Sequence, residues 1–431
     1  MTPAARVAAA IELVAAIDHT PRKPADAVAN AFFRERRYIG SGDRRAISER
    51  AWSVIRSRRR LSWWLQRTEA RISPRMLVAA SLMLEGWTGD GLLQTFAGGQ
   101  YAPDKLSPSE KPILKALEGR TLNHPAMPTG VRIEAPDWVV PLLEARFGDA
   151  LDAEMAAMDL PAPLDLRVNL LKSDRTAAQA ALADVNVVAE CTALSPWGLR
   201  VQSRQPIVAL KPFQDGIVEI QDEGSQLIAA VVGAKPEMRV ADWCAGAGGK
   251  TLALAMTMEN RGHIVASDVS PFRLEAAVKR LRRAGVHNVE CHMPEAGDKW
   301  IKRRAATFDR VLVDAPCTGT GTWRRNPDAR QRLTAQDLAE LTVKQAMILD
   351  QAARLVRKGG RLVYATCSLL REENEAQVET FLAGHPDFAV RPLAEAWALD
   401  APLPCPGPYL SLTPLSPGTD GFFAAVLERA G

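Results

Sequence analysis

The chain has 431 residues, 47% hydrophobic and 24% charged, with a formal net charge of +4. Such a length suggests two or three domains, each burying its own core, and the composition is that of an ordinary soluble globular protein. Six cysteines without a Cys-x-x-Cys pair exclude a disulfide framework, and six histidines without ligand spacing argue against a structural metal.

The N-terminus does not read as a signal peptide, because Glu12 and Asp18 interrupt its apolar stretch. The longest apolar run, near Leu227–Ala234, is too short to span a bilayer. No membrane partner is expected, and free thiols suit a reducing cytoplasm.

Residues 1 to about 95 read as all helix. Ala9, Leu13, Ala16 and Ile17 share one face. Asp43 is a candidate N-cap, with Ile47, Ala51, Val54 and Ile55 following at helical spacing. Trp63 and Trp64 can serve the core or stack on bases. Between Arg34 and Arg75 stand thirteen Arg, no Lys and four acids. A clustered arginine face is an electrostatic footprint for phosphate backbones, and otherwise simply a solvated helical face. A Pro/Gly-rich connector follows and marks a boundary near residue 128. Residues 129–232 read as a small α+β unit: Leu164–Asn169 alternates like a strand, 176–183 is helical, and 217–220 is strand-like. A helix then starts at Gln221–Ser225 and runs to Val232.

From residue 233 onward the pattern is βαβ repetition, hence a twisted parallel sheet covered on both faces. Strands are expected at 239–243, 263–267, 288–292, 308–314 and 360–366, with a last apolar strand after Gly421. Helices are expected at 250–258, 271–284, 335–357 and 372–383. The first strand runs into Cys244-Ala245-Gly246-Ala247-Gly248-Gly249-Lys250-Thr251. A strand, a glycine turn and a helix start bring backbone N–H groups close to a ligand. A phosphate-cradling loop would need Gly where Cys244 stands, and a dinucleotide fingerprint would need Gly at Thr251. A nucleoside ligand without a pyrophosphate remains, and S-adenosylmethionine fits. Asp268 ends the next strand at the offset from which a carboxylate reaches ribose hydroxyls.

The fourth strand runs into Asp314-Ala315-Pro316-Cys317, and the fifth into Thr366-Cys367-Ser368. Ligands of open α/β sheets bind beyond the carboxyl ends of the strands, so both thiols should face one crevice beside the methyl donor. Two such thiols suit methylation at carbon 5 of cytosine. One adds to carbon 6 as a covalent nucleophile, and a second group helps resolve the adduct. Asp314 would hold the polar edge of the base, and Lys250 is a cation that could favour a thiolate. Methylation of an adenine amino group is disfavoured, because Cys317 stands where that chemistry uses an aromatic residue.

These residues resemble the bacterial 16S ribosomal RNA cytosine-5 methyltransferases, in the group with an N-terminal domain like the antitermination factor NusB. The likeness rests on Arg167-Val168-Asn169, Gln221-Asp222-Glu223, Asp242 to Thr251, Asp268 with Arg273, Asp314 to Cys317, Thr366-Cys367-Ser368, Glu372-Glu373-Asn374-Glu375 and Asp420 to Phe423, and in the N-terminal part on Phe33 and Ile39 to Arg45. It implies a multidomain fold. An all-α NusB-like domain (1–128) and a small α+β subdomain (129–232) precede a Rossmann-like, doubly wound methyltransferase domain (233–431). It implies Cys367 as the nucleophile and Cys317 as the aid to product release. It also implies S-adenosylmethionine held by Cys244, Ala245, Gly246, Ala247, Gly248, Gly249, Lys250, Asp268, Arg273 and Asp314. The NusB-like domain and the Arg167–Asn169 region would contact RNA, and the chain would work as a monomer. The family turn reads Ala-Ala-Pro-Gly-Gly-Lys, whereas here Ala247 takes the proline position. The family's adenine-side Asp after the third strand has no clean match in Glu295 or Asp298. Two other readings stay open: a transfer RNA substrate, or a catalytically weak RNA-binding assembly factor.

Overall fold

The computed structural model describes residues 1–203, 205–295 and 299–431; Asp298 lies outside the described residues. By packing, the chain forms two compact units. One comprises residues 1–159 with 323–334, the other residues 160–322 with 335–431.

The first unit is helical, with helices at Pro3–Asp18, Ala25–Glu35, Ser41–Arg56, Arg58–Arg67, Pro74–Leu84 and Gly89–Thr95. Their apolar stripes meet in one core that includes Leu13, Val14, Ile47, Ala51, Val54, Leu65 and Leu77. Asp43 is not the cap expected of it. Gly40 holds that position, and Asp43 in the first turn accepts from the terminal amine at 3.0 Å and from Arg6 Nε at 2.7 Å. Trp64 is buried and donates Nε1–H to the Leu122 carbonyl at 2.9 Å, while Trp63 is half-buried under the Arg67 guanidinium.

The arginine cluster is largely consumed inside this unit. Arg36, Arg45, Arg50, Arg58, Arg59, Arg60 and Arg75 pair with Glu12, Glu49, Glu85, Asp18, Asp137, Glu134 and Glu110. Only Glu49 of those acids lies within the arginine-rich stretch. The phosphate footprint is therefore smaller than thirteen arginines imply.

The second unit holds two sheets. The smaller is antiparallel, in order β2-β3-β1-β4, from β1 (Leu164–Val168), β2 (Ala189–Cys191), β3 (Gly198–Val201) and β4 (Val218–Ile220). The larger contains β5 (Arg239–Asp242), β6 (His263–Ser267), β7 (Val289–His292), β8 (Phe308–Asp314), β9 (Val356–Thr366), β10 (Phe388–Val390), β11 (Leu410–Leu412) and β12 (Phe422–Arg429). Its order is β7-β6-β5-β8-β9-β12-β10, with β11 also on β12. Strands β5 to β9 pair in parallel, and β12 is antiparallel to β9.

Alternate residues of these strands enter opposite layers. Val240, Ile264, Leu312 and Val363 pack with Leu227 and Leu254 from the helices Glu223–Val231 and Gly249–Thr257. Ala241, Val265, Val311 and Tyr364 pack with Leu349 and Phe381 from the helices Ala335–Ala353 and Glu375–Gly384. That two-sided cover explains why the strands read as nearly continuous apolar runs. Strand β9 begins at Val356 rather than at residue 360, and the preceding helix stops at Ala353. Val356 pairs with Phe308, and a register shift between Phe308 and Arg310 absorbs Gly359-Gly360. Strands β2, β3, β10 and β11 have three or four residues each, too few to show a period.

Beyond β8 the chain passes close to the segment before β12. Gly321 N–H donates to the Cys367 carbonyl at 2.9 Å, and Gly421 N–H donates to the Gly321 carbonyl at 2.8 Å. A Cβ on Gly321 would stand 2.2 Å from the Gly421 carbonyl oxygen, where no side-chain rotation relieves it. Gly321→Ala is expected to destabilise this unit by about 2–3 kcal/mol, read as a lowered midpoint in chemical denaturation.

Candidate active site

Strand order reverses between β6 and β8 on either side of β5, which opens a crevice at the carboxyl ends of these strands. A cavity of about 580 Å³ lies there. It is lined by Cys244, Ala245, Gly246, Ala247, Gly249 and Lys250 after β5, by Asp268 and Arg273 after β6, and by Asp314, Cys317 and Cys367 after β8 and β9. Every predicted site residue but one is thus brought to one cavity. The exception is Gly248, which is left-handed at φ +79° and turned toward the helix Pro271–Ala284, 3.1 Å from the Ala277 Cβ by its own built Cβ. It makes the close helix–turn approach for which glycine is needed.

The two thiols stand 3.4 Å apart. The contact with Cys367 and then burial push the Cys317 thiol well above its ordinary range, so Cys317 holds its proton. Lys250 Nζ donates to Asp314 Oδ2 at 2.7 Å. Burial works against the ammonium, but Asp314, Cys367 and Asp242 together outweigh it, and Lys250 titrates above an ordinary lysine. Asp268 Oδ2 accepts from Gly246 N at 2.9 Å and Oδ1 from Ser270 N at 2.8 Å; each oxygen keeps a further lone pair. Arg273 is mostly exposed, 3.9 Å from Asp268.

Asp242 is fully buried. Its Oδ2 accepts from Thr251 Oγ1 at 2.7 Å, and its Oδ1 has no hydrogen-bond partner among the described residues. Burial pushes it up to about 7, against the opposing bond from Thr251. The cavity is lined by three carboxylates, two lysines (Lys250 and Lys344) and Arg273, with one bare buried carboxylate oxygen, and so offers partners of both signs. S-adenosylmethionine carries an ammonium, a sulfonium and a carboxylate, so these residues fit it.

The loops that carry the thiols are held from behind. Glu373 is fully buried. It accepts from Thr318 N at 2.8 Å, from Thr318 Oγ1, and from Gln345 Nε2 at 3.0 Å, while Gln345 also donates to the Pro316 carbonyl. Asn374 accepts from Thr366 Oγ1 at 2.5 Å and donates to the Ser368 carbonyl at 2.9 Å. The Glu-Glu-Asn-Glu stretch thus fixes the residues on both sides of the cysteines, a role its spelling does not disclose. Sequence reasoning also missed Lys344, Ile348 and Gln351, one stripe of the helix Ala335–Ala353 that lines the cavity. Their helical spacing was visible, but nothing in it distinguished a cavity wall from any other stripe.

Arg167 and Asn169, expected to meet RNA, are buried. Asn169 Nδ2 lies 2.9 Å from both the Gly216 and the Ala284 carbonyls, and Arg167 Nη1 donates to the Gly249 carbonyl at 2.8 Å. They face the interior of the fold, where Arg167 Nε has no hydrogen-bond partner among the described residues. Glu295 is exposed, and its neighbour Pro294 lines the cavity.

A doubly wound sheet with a pyrophosphate-free glycine turn and an acidic strand end at its switch point defines an S-adenosylmethionine-dependent methyltransferase. A family model described as 16S rRNA methyltransferase RsmB/F matches residues 229–428, and a ferredoxin-like domain of the same family matches residues 135–208. A probable ribosomal RNA small subunit methyltransferase B of Synechocystis is 34% identical over 70% of this chain and 68% of its own. A ribosomal RNA small subunit methyltransferase B of Xylella fastidiosa is 36% identical over 68% of each chain. The crystal structure of a methyltransferase homolog protein from Pyrococcus horikoshii is 28% identical, with a TM-score of 0.60, over 70% of this chain and 97% of that one. The chain belongs to the RsmB/F family of RNA methyltransferases. Among the described residues, no helix is long and apolar enough to cross a membrane.

Two outcomes follow from this geometry. Asp242 titrates at about 7 in the fold, against 3.8 ordinarily, so between those values the folded chain holds a proton that the unfolded chain has released. The stability from that proton is full below 3.8 and is lost as pH rises through 7. Asp242→Asn should flatten this fall in the unfolding free energy of the ligand-free protein. Glu373→Ala strands three donors and should cost roughly 3 kcal/mol in the same measurement.

Proposed function

We propose that the protein methylates carbon 5 of a cytosine in small-subunit ribosomal RNA, through a transient bond between Cys367 and carbon 6 of the base. The observation that carries this reading is the 3.4 Å separation of two thiols on the wall of the donor cavity. The names of the relatives support ribosomal RNA as the substrate.

Carbon 5 of cytosine is a weak nucleophile. The Cys367 thiolate adds to carbon 6 and turns the ring into an enamine with electron density at carbon 5. The bound donor supplies an electrophilic methyl group to that carbon. Asp242, the N–H groups of the turn 244–250, Asp268 and Arg273 hold the donor. Asp314 accepts from the amino edge of the base, and Lys250 fixes Asp314 and favours an anionic sulfur nearby. Once the Cys367 sulfur is bonded to carbon, the largest influence that raises Cys317 is removed while burial and Glu373 still oppose its anion, and Cys317 gives its proton to water. The Cys317 thiolate then takes the carbon 5 proton. The electrons of that C–H bond form the ring double bond, the carbon–sulfur bond breaks, and its pair returns to Cys367.

On the same reading residues 1–128 are a NusB-like RNA-binding domain, 129–232 a connecting subdomain that also engages RNA, and 233–431 the methyltransferase; the chain acts as a monomer.

With methyl-labelled donor and unmodified 16S RNA, Cys367→Ala should transfer at less than about a thousandth of the wild-type rate. Cys317→Ala should leave a protein–RNA complex that survives denaturing electrophoresis. Undiminished transfer by Cys367→Ala would discard the mechanism. Labelling of transfer RNA in place of ribosomal RNA would keep the chemistry and change the substrate.

A further inference from the structure

The glycine turn is held by two arginines, Arg167 buried and Arg280 half-buried, that the reaction itself does not use. Arg280, on the helix Pro271–Ala284, donates Nη1–H to the Ala247 carbonyl at 2.8 Å. Arg167, on β1 of the smaller sheet, donates Nη1–H to the Gly249 carbonyl at 2.8 Å and also to Gln221 Oε1. Glu219 on β4 anchors the set from below, accepting from Arg280 Nε at 3.3 Å and from Arg283 Nη2. Two segments distant in sequence therefore grip the turn, and a third, β4, holds one of them through Glu219.

A trans peptide points its N–H opposite its carbonyl. Fixing the Gly249 carbonyl fixes the direction of the Lys250 N–H at the start of the helix. Fixing the Ala247 carbonyl holds the peptide whose Gly248 N–H closes the turn onto the Ala245 carbonyl at 2.9 Å. Gly246 at φ +55° and Gly248 at φ +79° give this turn little stiffness of its own. Ala247 also stands where the family turn has proline, so a ring-imposed restraint is missing at the residue whose carbonyl Arg280 grips.

We infer that Arg280 and Arg167 are positioning residues for the methyl donor, two guanidinium braces that hold a proline-free turn in its binding shape. Charged hydrogen bonds suit this use, because each is about twice as strong as a neutral one and the guanidinium fork has a fixed direction. Arg167 extends the inference further. It makes the smaller sheet part of the donor site, so that sheet is coupled to donor affinity without touching the donor. The inference rests on reading the cavity as the donor pocket.

Calorimetric titration of the full RNA-free chain with S-adenosylmethionine and S-adenosylhomocysteine tests it. Arg280→Met should raise both dissociation constants about tenfold, since a loose turn must be ordered at binding. Arg280→Lys, which keeps one charged donor, should recover to within about threefold of wild type. In turnover the loss should fall on the donor KM, with kcat nearly intact. Arg167→Lys serves in place of a truncation at that fully buried position and should weaken both ligands similarly. A merely structural role would lower the melting temperature and leave the dissociation constants of the folded fraction unchanged; that result overturns the inference. Failure of the wild-type chain to bind either ligand would overturn the donor-pocket reading and this inference together. Wild-type binding with equal binding by the variants would overturn the inference alone.

Discussion

Parallel pairing of β8 with β9 sets Asp314 opposite Ala365, and nearly all of the site depends on that register. Cys317 lies three residues beyond Asp314 and Cys367 two beyond Ala365, so both thiols leave the sheet at the same edge and meet. A slip of one residue would turn every side chain of β9 to the other layer and carry Tyr364 and Val363 out of their cores. The hydrophobic pattern of the strands therefore enforces the distance between two polar groups. Glu373, Gln345 and Asn374 then remove the remaining freedom of the loops by satisfying their backbone groups, which is why the thiols can approach without either sitting on a regular element.

The charges around the crevice follow the same logic of mutual constraint. Three carboxylates gather at the ends of three strands, at Asp242, Asp268 and Asp314. Left bare, such a group would be costly, and the fold handles each differently. Asp314 is paired with Lys250, Asp268 is tied into its own turn by backbone N–H groups, and Asp242 is pushed by burial toward its protonated form. Lys344 and Arg273 also line the cavity, so the charges balance in number, and the group left unanswered is the buried Oδ1 of Asp242.

The arginines show where local reading misleads. A run rich in Arg looks like a nucleic-acid face, yet Arg58, Arg59 and Arg60 meet Asp18, Asp137 and Glu134, which lie some forty to eighty positions away. Arg167 gives the same lesson in the other unit, as a motif arginine that turns inward to the donor turn. Whether a guanidinium faces solvent or a carboxylate is a property of packing, and a window of sequence contains only half of each pair.

The sequence by itself determined the βαβ order, the strand ends, the glycine turn, the two strand-end thiols and Asp268, because each is written in a short stretch with its own period or turn chemistry. It also carried the helical character of the first ninety residues. It was silent on β2, β3, β10 and β11, on the contribution of residues 323–334 to the helical unit, and on the bracing roles behind the site: Glu373 and Asn374 behind the cysteines, Arg167 and Arg280 behind the turn. Those were decided only by tertiary structure. A side chain that works by hydrogen-bonding a distant backbone carbonyl or amide leaves no mark at its partner's position, since every residue carries the same peptide group.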